Sequence, residues 1–290
     1  MEDQAAALRQ MAGGRIPESR TGRLRCMAVG SGKGGVGKTM VSVGLSYALV
    51  RRGYRVLIVD ADLGLANVDL QIGVDPQFTL QDVVFGKCTV EDAVIPVPNG
   101  PDVLAAASGS PELVDMGSAR RQMFVDQLVK FAGRYDFFVI DVGAGIGQNV
   151  TAFLAAAPEA LVVVANEPTS LMDAYALIKT LCRMPEPPFM QAVINMVKTL
   201  EEGDMLAGRL NLIAQRFLGV ELPVAGVIPY DPAVGDAIRA RQSIMRYAPQ
   251  SLAALALDDM VETLTSGRSY QKAGVRSSRQ VFDRLIDLGK

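Results

Sequence analysis

The sequence predicts a three-layer α/β domain in which a mostly parallel sheet carries helices on both faces. Two observations predict it. Short apolar runs recur along the chain, most of them apolar on both faces, as strands of a covered parallel sheet must be. Stretches of helical periodicity separate these runs, the alternation that builds strand–helix–strand units. The 290 residues, 49% hydrophobic and 21% charged, supply one large core and too little for several independent domains.

The elements follow in order. Residues 1–25 are polar, with Arg15, Arg20, Arg23 and Arg25 around Gly13, Gly14 and Pro17, and read as a flexible extension with a short helix over Gln4–Met11. The strand candidates are Cys26–Ser31, Arg55–Asp60, Asp102–Ala106, Phe137–Asp141, Ala160–Ala165, Met190–Asn195 and Val224–Ile228. Between the first two, Lys38–Arg52 is helical: Val41, Gly44, Leu45, Ala48 and Leu49 share a face, and Gly53 stops it. Past Pro249 the chain is helical and increasingly polar. Residues 26–270 thus form the domain, and 271–290 a separate tail whose helix, Ser277–Leu288, carries an apolar stripe of Val281, Phe282, Leu285 and Leu288. Arg279, Arg284 and Lys290 lie near that stripe, as do Asp283 and Asp287. Such a helix suits either a membrane surface or a dock on the domain itself.

Composition excludes several chemistries. Three scattered cysteines (Cys26, Cys88, Cys182) and no histidine leave zinc and iron–sulfur sites without their usual ligands, and suit buried thiols in a reducing compartment. A net charge of −2 argues against holding nucleic acid by bulk electrostatics, and Arg239, Arg241 and Arg246 make only a modest basic cluster. Apolar runs such as Ala160–Ala165 are too short to cross a bilayer. The first residues lack the basic-then-apolar order of a signal peptide, so a cytoplasmic protein is expected.

The strongest motif is Gly32-Lys33-Gly34-Gly35-Val36-Gly37-Lys38-Thr39, after a strand and opening a helix. That is the context a P-loop requires. Its glycines let backbone N–H groups approach phosphate oxygens, and the helix N-terminus adds positive potential. Lys38 is placed to bridge the β- and γ-phosphates of ATP, and the Thr39 hydroxyl to ligate Mg²⁺. Met40 follows on the helix and closes the nucleotide-binding stretch. Phe137-Phe138-Val139-Ile140-Asp141, an apolar strand ending in an acid and followed by Val142-Gly143-Ala144-Gly145, has the Walker B and switch II arrangement. Asp141 then holds Mg²⁺ through water, and the N–H of either Gly143 or Gly145 registers the γ-phosphate. Asp60 and Asp62 end the second strand, where carboxylates face the ligand crevice.

Lys33, a second lysine inside the loop, makes the chain resemble the deviant Walker A ATPases of the MinD/ParA family, a SIMIBI-type P-loop NTPase group. The resemblance implies that Lys33 reaches the partner's nucleotide in an ATP-bound homodimer, and that Asp62 is the catalytic carboxylate that positions the attacking water beside Lys33 and Lys38. It implies that Asp60 supports the magnesium shell, that Asn195 reads adenine, and that Pro229-Tyr230-Asp231 covers the ring. Glu167 and Asp173 sit where the family has interface residues, Glu167 toward the nucleotide. Further stretches, Asp62-Leu63-Gly64-Leu65-Ala66-Asn67-Val68-Asp69, Gly143-Ala144-Gly145-Ile146, Glu167-Pro168-Thr169-Ser170 and Ile228-Pro229-Tyr230-Asp231, look like the FlhG/FleN-type regulators of flagellar number and placement. Asp3-Gln4-Ala5 with Leu8-Arg9 resembles the motif by which such regulators stimulate an SRP-type GTPase, with Gln4 as the matching glutamine. By the same resemblance the C-terminal helix would associate reversibly with the inner face of the cell membrane. A MinD-like positioner of another structure and a ParA-like DNA-partition ATPase are the alternatives.

Overall fold

The computed structural model describes residues 24–62, 67–106, 126–266 and 278–286. Eight strands form one sheet: β1 (Arg25–Ser31), β2 (Val56–Ala61), β3 (Val94–Ile95), β4 (Asp102–Leu104), β5 (Phe137–Ala144), β6 (Glu159–Ala165), β7 (Phe189–Val197) and β8 (Val224–Pro229). Their spatial order is β3-β4-β2-β5-β1-β6-β7-β8, parallel throughout except where β3 runs antiparallel to β4 at the edge. Every apolar run identified above became a strand. The two-residue β3 did not announce itself, because so short a pairing has no periodicity to read.

Both faces of the sheet are dry. Alternate residues of each strand point to opposite sides, so Cys26, Ala28 and Leu57 join one core and Met27, Val29 and Ile58 the other. The first core is covered by α5 (Gln148–Ala156), α6 (Pro168–Cys182) and α7 (Leu200–Leu218), joined by the helical residues Leu128, Phe131 and Ala132. The second is covered by α1 (Lys38–Arg51), α8 (Pro232–Arg239), α9 (Ile244–Tyr247) and α10 (Leu252–Thr265). Short helices α2 (Val68–Ile72), α3 (Leu80–Val84) and α4 (Val90–Ala93) fill the connection from β2 to β3. Helix α1 is buried nearly all round, including Met40, Val43 and Tyr47, and not on one face as its pattern suggested. The reason is α10, which lies across it so closely that a Cβ on Gly44 would stand 2.4 Å from Leu257 Cδ1.

Arg25 belongs to β1 and not to the preceding extension. Its guanidinium is 8% exposed and grips Glu159 at the start of β6 through three contacts of 2.7–2.9 Å. A fourth hydrogen bond goes to the Leu264 carbonyl at the end of α10, 2.8 Å away, and the cation lies 5.3 Å from the Phe137 ring centre. Burial raises the Glu159 carboxyl and Arg25 pulls it back. Removing one member of such a pair strands the other charge in the core. Arg25→Ala is therefore expected to cost about 3–5 kcal/mol in urea unfolding, while Arg25→Met with Glu159→Leu recovers most of the loss.

Candidate nucleotide site

The site lies at the carboxyl ends of the central strands. The loop after β1 turns into α1, and its sharpest turn is at Gly37, with φ 87°. A Cβ there would be strained and would lie 2.3 Å from Asn195 Nδ2. Gly32 is equally confined: a Cβ would sit 2.2 Å from the Asp173 carbonyl on α6. The loop is thus pinned on one side by β7 and on the other by α6.

Lys38 is 9% exposed, and no side chain or carbonyl accepts a hydrogen bond from its ammonium among the described residues. A nearly buried cation at a helix N-terminus, without a hydrogen-bonded counter-ion, is a site for an anion. Next to it the Thr39 hydroxyl donates to Asp141 Oδ2 and the Ser42 hydroxyl to Asp141 Oδ1, both at 2.7 Å. Ser42 carries no motif signature in the sequence. It stands out as a polar residue on an apolar helix, one turn after Thr39.

Register on neighbouring strands places Asp60 directly beside Asp141. Both are buried. Asp60 accepts N–H groups from Asp62 (3.0 Å), Asn67 (3.0 Å) and Val68 (3.2 Å), and so braces the loop that follows β2. Burial pushes its carboxyl up to about 7, and the neighbouring Asp141 adds to the rise. Asp141 is pushed up to about 6 by burial, against the Thr39 and Ser42 hydroxyls and Lys38. Two adjacent carboxylates that resist ionising suit a divalent cation. No cluster of three or more metal-ligating His, Cys, Asp or Glu side chains occurs among the described residues. Mg²⁺ needs none, since it takes one or two protein oxygens and the rest from phosphate and water.

A pH dependence follows. Each folded-state pKa lies above the ordinary aspartate value, so between pH 4 and 8 the folded chain binds more protons than the unfolded one and stability falls as pH rises. In EDTA without nucleotide, unfolding free energy is expected to drop across that range by a few kcal/mol, on the order set by ~1.4 kcal/mol per pH unit per group. Asp60→Asn should flatten the curve, measured by urea unfolding at successive pH values.

Asp62 is half-buried, and a Cβ on Gly143 near the end of β5 would lie 3.3 Å from its Oδ1, so the carboxylate that follows β2 meets the end of β5. Gly145 N–H donates to the Ser31 carbonyl at 2.8 Å, tying the β5 loop to the end of β1. Lys33 points away from the interior. Its ammonium hydrogen-bonds the Glu167 carboxylate and, at 2.9 Å, the Thr169 hydroxyl. Thr169 lies in the Glu167-Pro168-Thr169-Ser170 stretch, whose resemblance implies no role for its hydroxyl.

The residues expected around the base are arranged unevenly. Asn195 is 1% exposed and donates from Nδ2 to the Val36 carbonyl at 2.8 Å, supporting the phosphate loop from below. Met196 follows at a bulge with φ 59° and is partly exposed over Gly37. Pro229 ends β8 and Tyr230 is exposed. Asp231 caps α8 through Ala233 N–H (3.0 Å) and reaches Ala253 N–H (3.1 Å) at the start of α10. Burial works to raise its carboxyl, but these amides outweigh it and hold it below the usual value. Asp173 is half-buried on α6, and its backbone meets Gly32. Gln4 lies outside the described residues.

The tail helix α11 (Ser278–Ile286) packs against α5, the helix after the β5 loop. Val281 is buried in the core, and Arg279 pairs with Asp126 at 2.9 Å and Arg284 with Glu186. Of its expected stripe, the side chains of Phe282 and Leu285 and all of Leu288 lie outside what is described. No helix among the described residues is long and apolar enough to cross a membrane.

Residues 27–244 match the family described as the CobQ/CobB/MinD/ParA nucleotide binding domain. The antiactivator FleN of Pseudomonas aeruginosa is 40% identical over 243 residues, 84% of this chain and 87% of that protein. The flagellum site-determining protein YlxH of Helicobacter pylori is 31% identical over 99% of both chains. The cell division ATPase MinD of Pyrococcus furiosus superposes with a TM-score of 0.68 at 29% identity, covering 83% of this chain and 98% of that one. MinD of Pyrococcus horikoshii, solved with Mg-ADP, gives 0.69 at 26% identity, over 87% and 100%.

Proposed function

Because the chain belongs to the CobQ/CobB/MinD/ParA nucleotide-binding family and is a Mg²⁺-dependent ATPase of the MinD kind, we propose that it is a dimerising switch that regulates flagellar number and placement. The kinship to FleN and to the flagellum site-determining YlxH supports the flagellar assignment. The observation that carries the switch is the division between two lysines of one loop. Lys38 is buried at the helix start, while Lys33 stands on the rim, 36% exposed, where a second subunit can meet it.

The amides of Gly32 to Thr39, with Met40 behind them, would receive the triphosphate of ATP, and Lys38 its β- and γ-phosphates. Thr39 and Asp141 would hold Mg²⁺, with Asp60 behind as second carboxylate; the ion would supply neutralisation of phosphate charge. Asn195, Pro229, Tyr230 and Asp231 form the base end. Asp62 aligns water for in-line attack, and the Gly143 or Gly145 N–H registers the γ-phosphate. Lys33 of each subunit neutralises charge on the other's triphosphate, with Asp173 in the interface, and phosphate loss releases the dimer. The segment around Gln4 acts on an SRP-type GTPase, and α11 cycles between its dock and the membrane surface.

Size-exclusion chromatography with ATP, with ADP and without nucleotide tests the switch. A dimer is expected with ATP alone, and Lys33→Ala should stay monomeric throughout. An unchanged elution volume for wild type in all three conditions would sink the proposal.

A further inference from the structure

Lys33 does not wait free for a partner. Its ammonium is held by Glu167 and Thr169 of the same chain, at the start of α6. Its carbonyl is fixed too, accepting the Ser31 hydroxyl at 2.6 Å. We infer that Glu167 and Thr169 are positioning residues that park Lys33 in the monomer, so that the subunit's own contacts set the ATP-dependent threshold for dimerisation. The inference rests on the proposed trans role of Lys33 and deepens it.

The chemistry favours a hold that is real and weak. Glu167 occupies the N-cap position of α6 and Pro168 the first turn. A carboxylate is at home there, because the helix dipole is positive at that end. A lysine cation is not, so Lys33 gains from the carboxylate but nothing from the helix. The pair is also half in solvent, with Lys33 36% and Glu167 57% exposed, and such pairs contribute little. A triphosphate offers far more negative charge than one carboxylate. The parked state therefore yields to a partner's ATP and holds against weaker competition, the behaviour a threshold requires. Beside Gly34 and Gly35 the loop opens onto empty space, which leaves Lys33 room to swing outward.

Two lysines must be released per dimer, so the effect of the latch enters twice. If each contact holds Lys33 by roughly threefold, as an exposed pair does, its loss tightens dimerisation by roughly tenfold. Thr169→Val removes one hydroxyl at constant shape, and Glu167→Gln removes the charge. Sedimentation of both variants with a non-hydrolysable ATP analogue is expected to give dimer dissociation constants about tenfold below wild type. An unchanged or larger constant for Thr169→Val would overturn the latch, since that residue has no charge to lend an interface. A larger constant for Glu167→Gln alone would assign that carboxylate to the dimer and leave Thr169 as the sole latch.

A second measurement needs no dimer. In the nucleotide-free monomer, the ¹⁵N signal of the Lys33 ammonium should show slow proton exchange, lost in Glu167→Gln. Free-lysine exchange in wild type would refute parking whatever the dimer does. Wild-type dimerisation by Lys33→Ala would instead refute the trans role, and so separates the two claims.

Discussion

Lys38→Ala is expected to lose ATP binding by a factor on the order of 10²–10³, as two charge-assisted phosphate contacts imply. The protein should nevertheless remain folded. Lys38 is almost buried, and no hydrogen-bond acceptor engages its ammonium among the described residues, so in the free protein only the charge of Asp141 offsets the burial of this cation. Cutting it back removes that cost and leaves α1 anchored by Val41, Leu45 and Leu49. Thermal unfolding without nucleotide should thus be unchanged or slightly higher, while calorimetric titration with Mg-ATP gives no measurable heat. Affinity within a few-fold of wild type would show that the loop amides alone carry the phosphate. The same substitution removes the cation that lowers Asp141, so that carboxylate should become harder to ionise.

Much of this site could be read from the chain because its parts are local. A phosphate loop is a strand, a run of glycines and a helix start within fifteen residues, and each has a sequence signature. Asp60 and Asp141 were legible for a related reason: an apolar strand ending in an acid marks a carboxylate at the crevice. Their adjacency was not legible. It depends on β2 pairing with β5, two strands some eighty residues apart, in one register. Asp60 acquired a different emphasis for the same reason, since its oxygens are engaged by amides of the loop it precedes. Asn195 was expected at the base, and the fold also makes it a prop beneath Val36, a contact spanning 159 residues. Arg25 illustrates the boundary problem. A cation at the start of an apolar run reads as the end of a polar tail, and only Glu159 and Leu264 make it core. The tail helix had two readings in sequence. Val281, Arg279 and Arg284 seat it on the domain through Asp126 and Glu186, partners that periodicity does not reveal.

Asp62→Ala should separate binding from hydrolysis. The backbone N–H of Asp62 bonds to Asp60, at 3.0 Å, independently of the side chain, so the loop keeps its anchor when the carboxylate is removed. That carboxylate lies against Gly143 near the end of β5, the strand that also carries Asp141. A side chain that positions the attacking water contributes about 10²–10⁴-fold, so phosphate release is expected to fall by that factor while ATP affinity stays within a few-fold. The variant should then accumulate as dimer with ATP, because the phosphate that closes the switch persists. Asp60→Asn makes the contrast: it loosens the amides of Asp62, Asn67 and Val68 and should weaken Mg-ATP binding along with turnover. Asp62→Asn decides how the residue works. Retention of shape with loss of rate assigns the effect to the negative charge, whereas near-normal turnover in Asp62→Asn assigns it to hydrogen-bond geometry. Normal turnover in Asp62→Ala would move the water-positioning role to another group on the β5 loop.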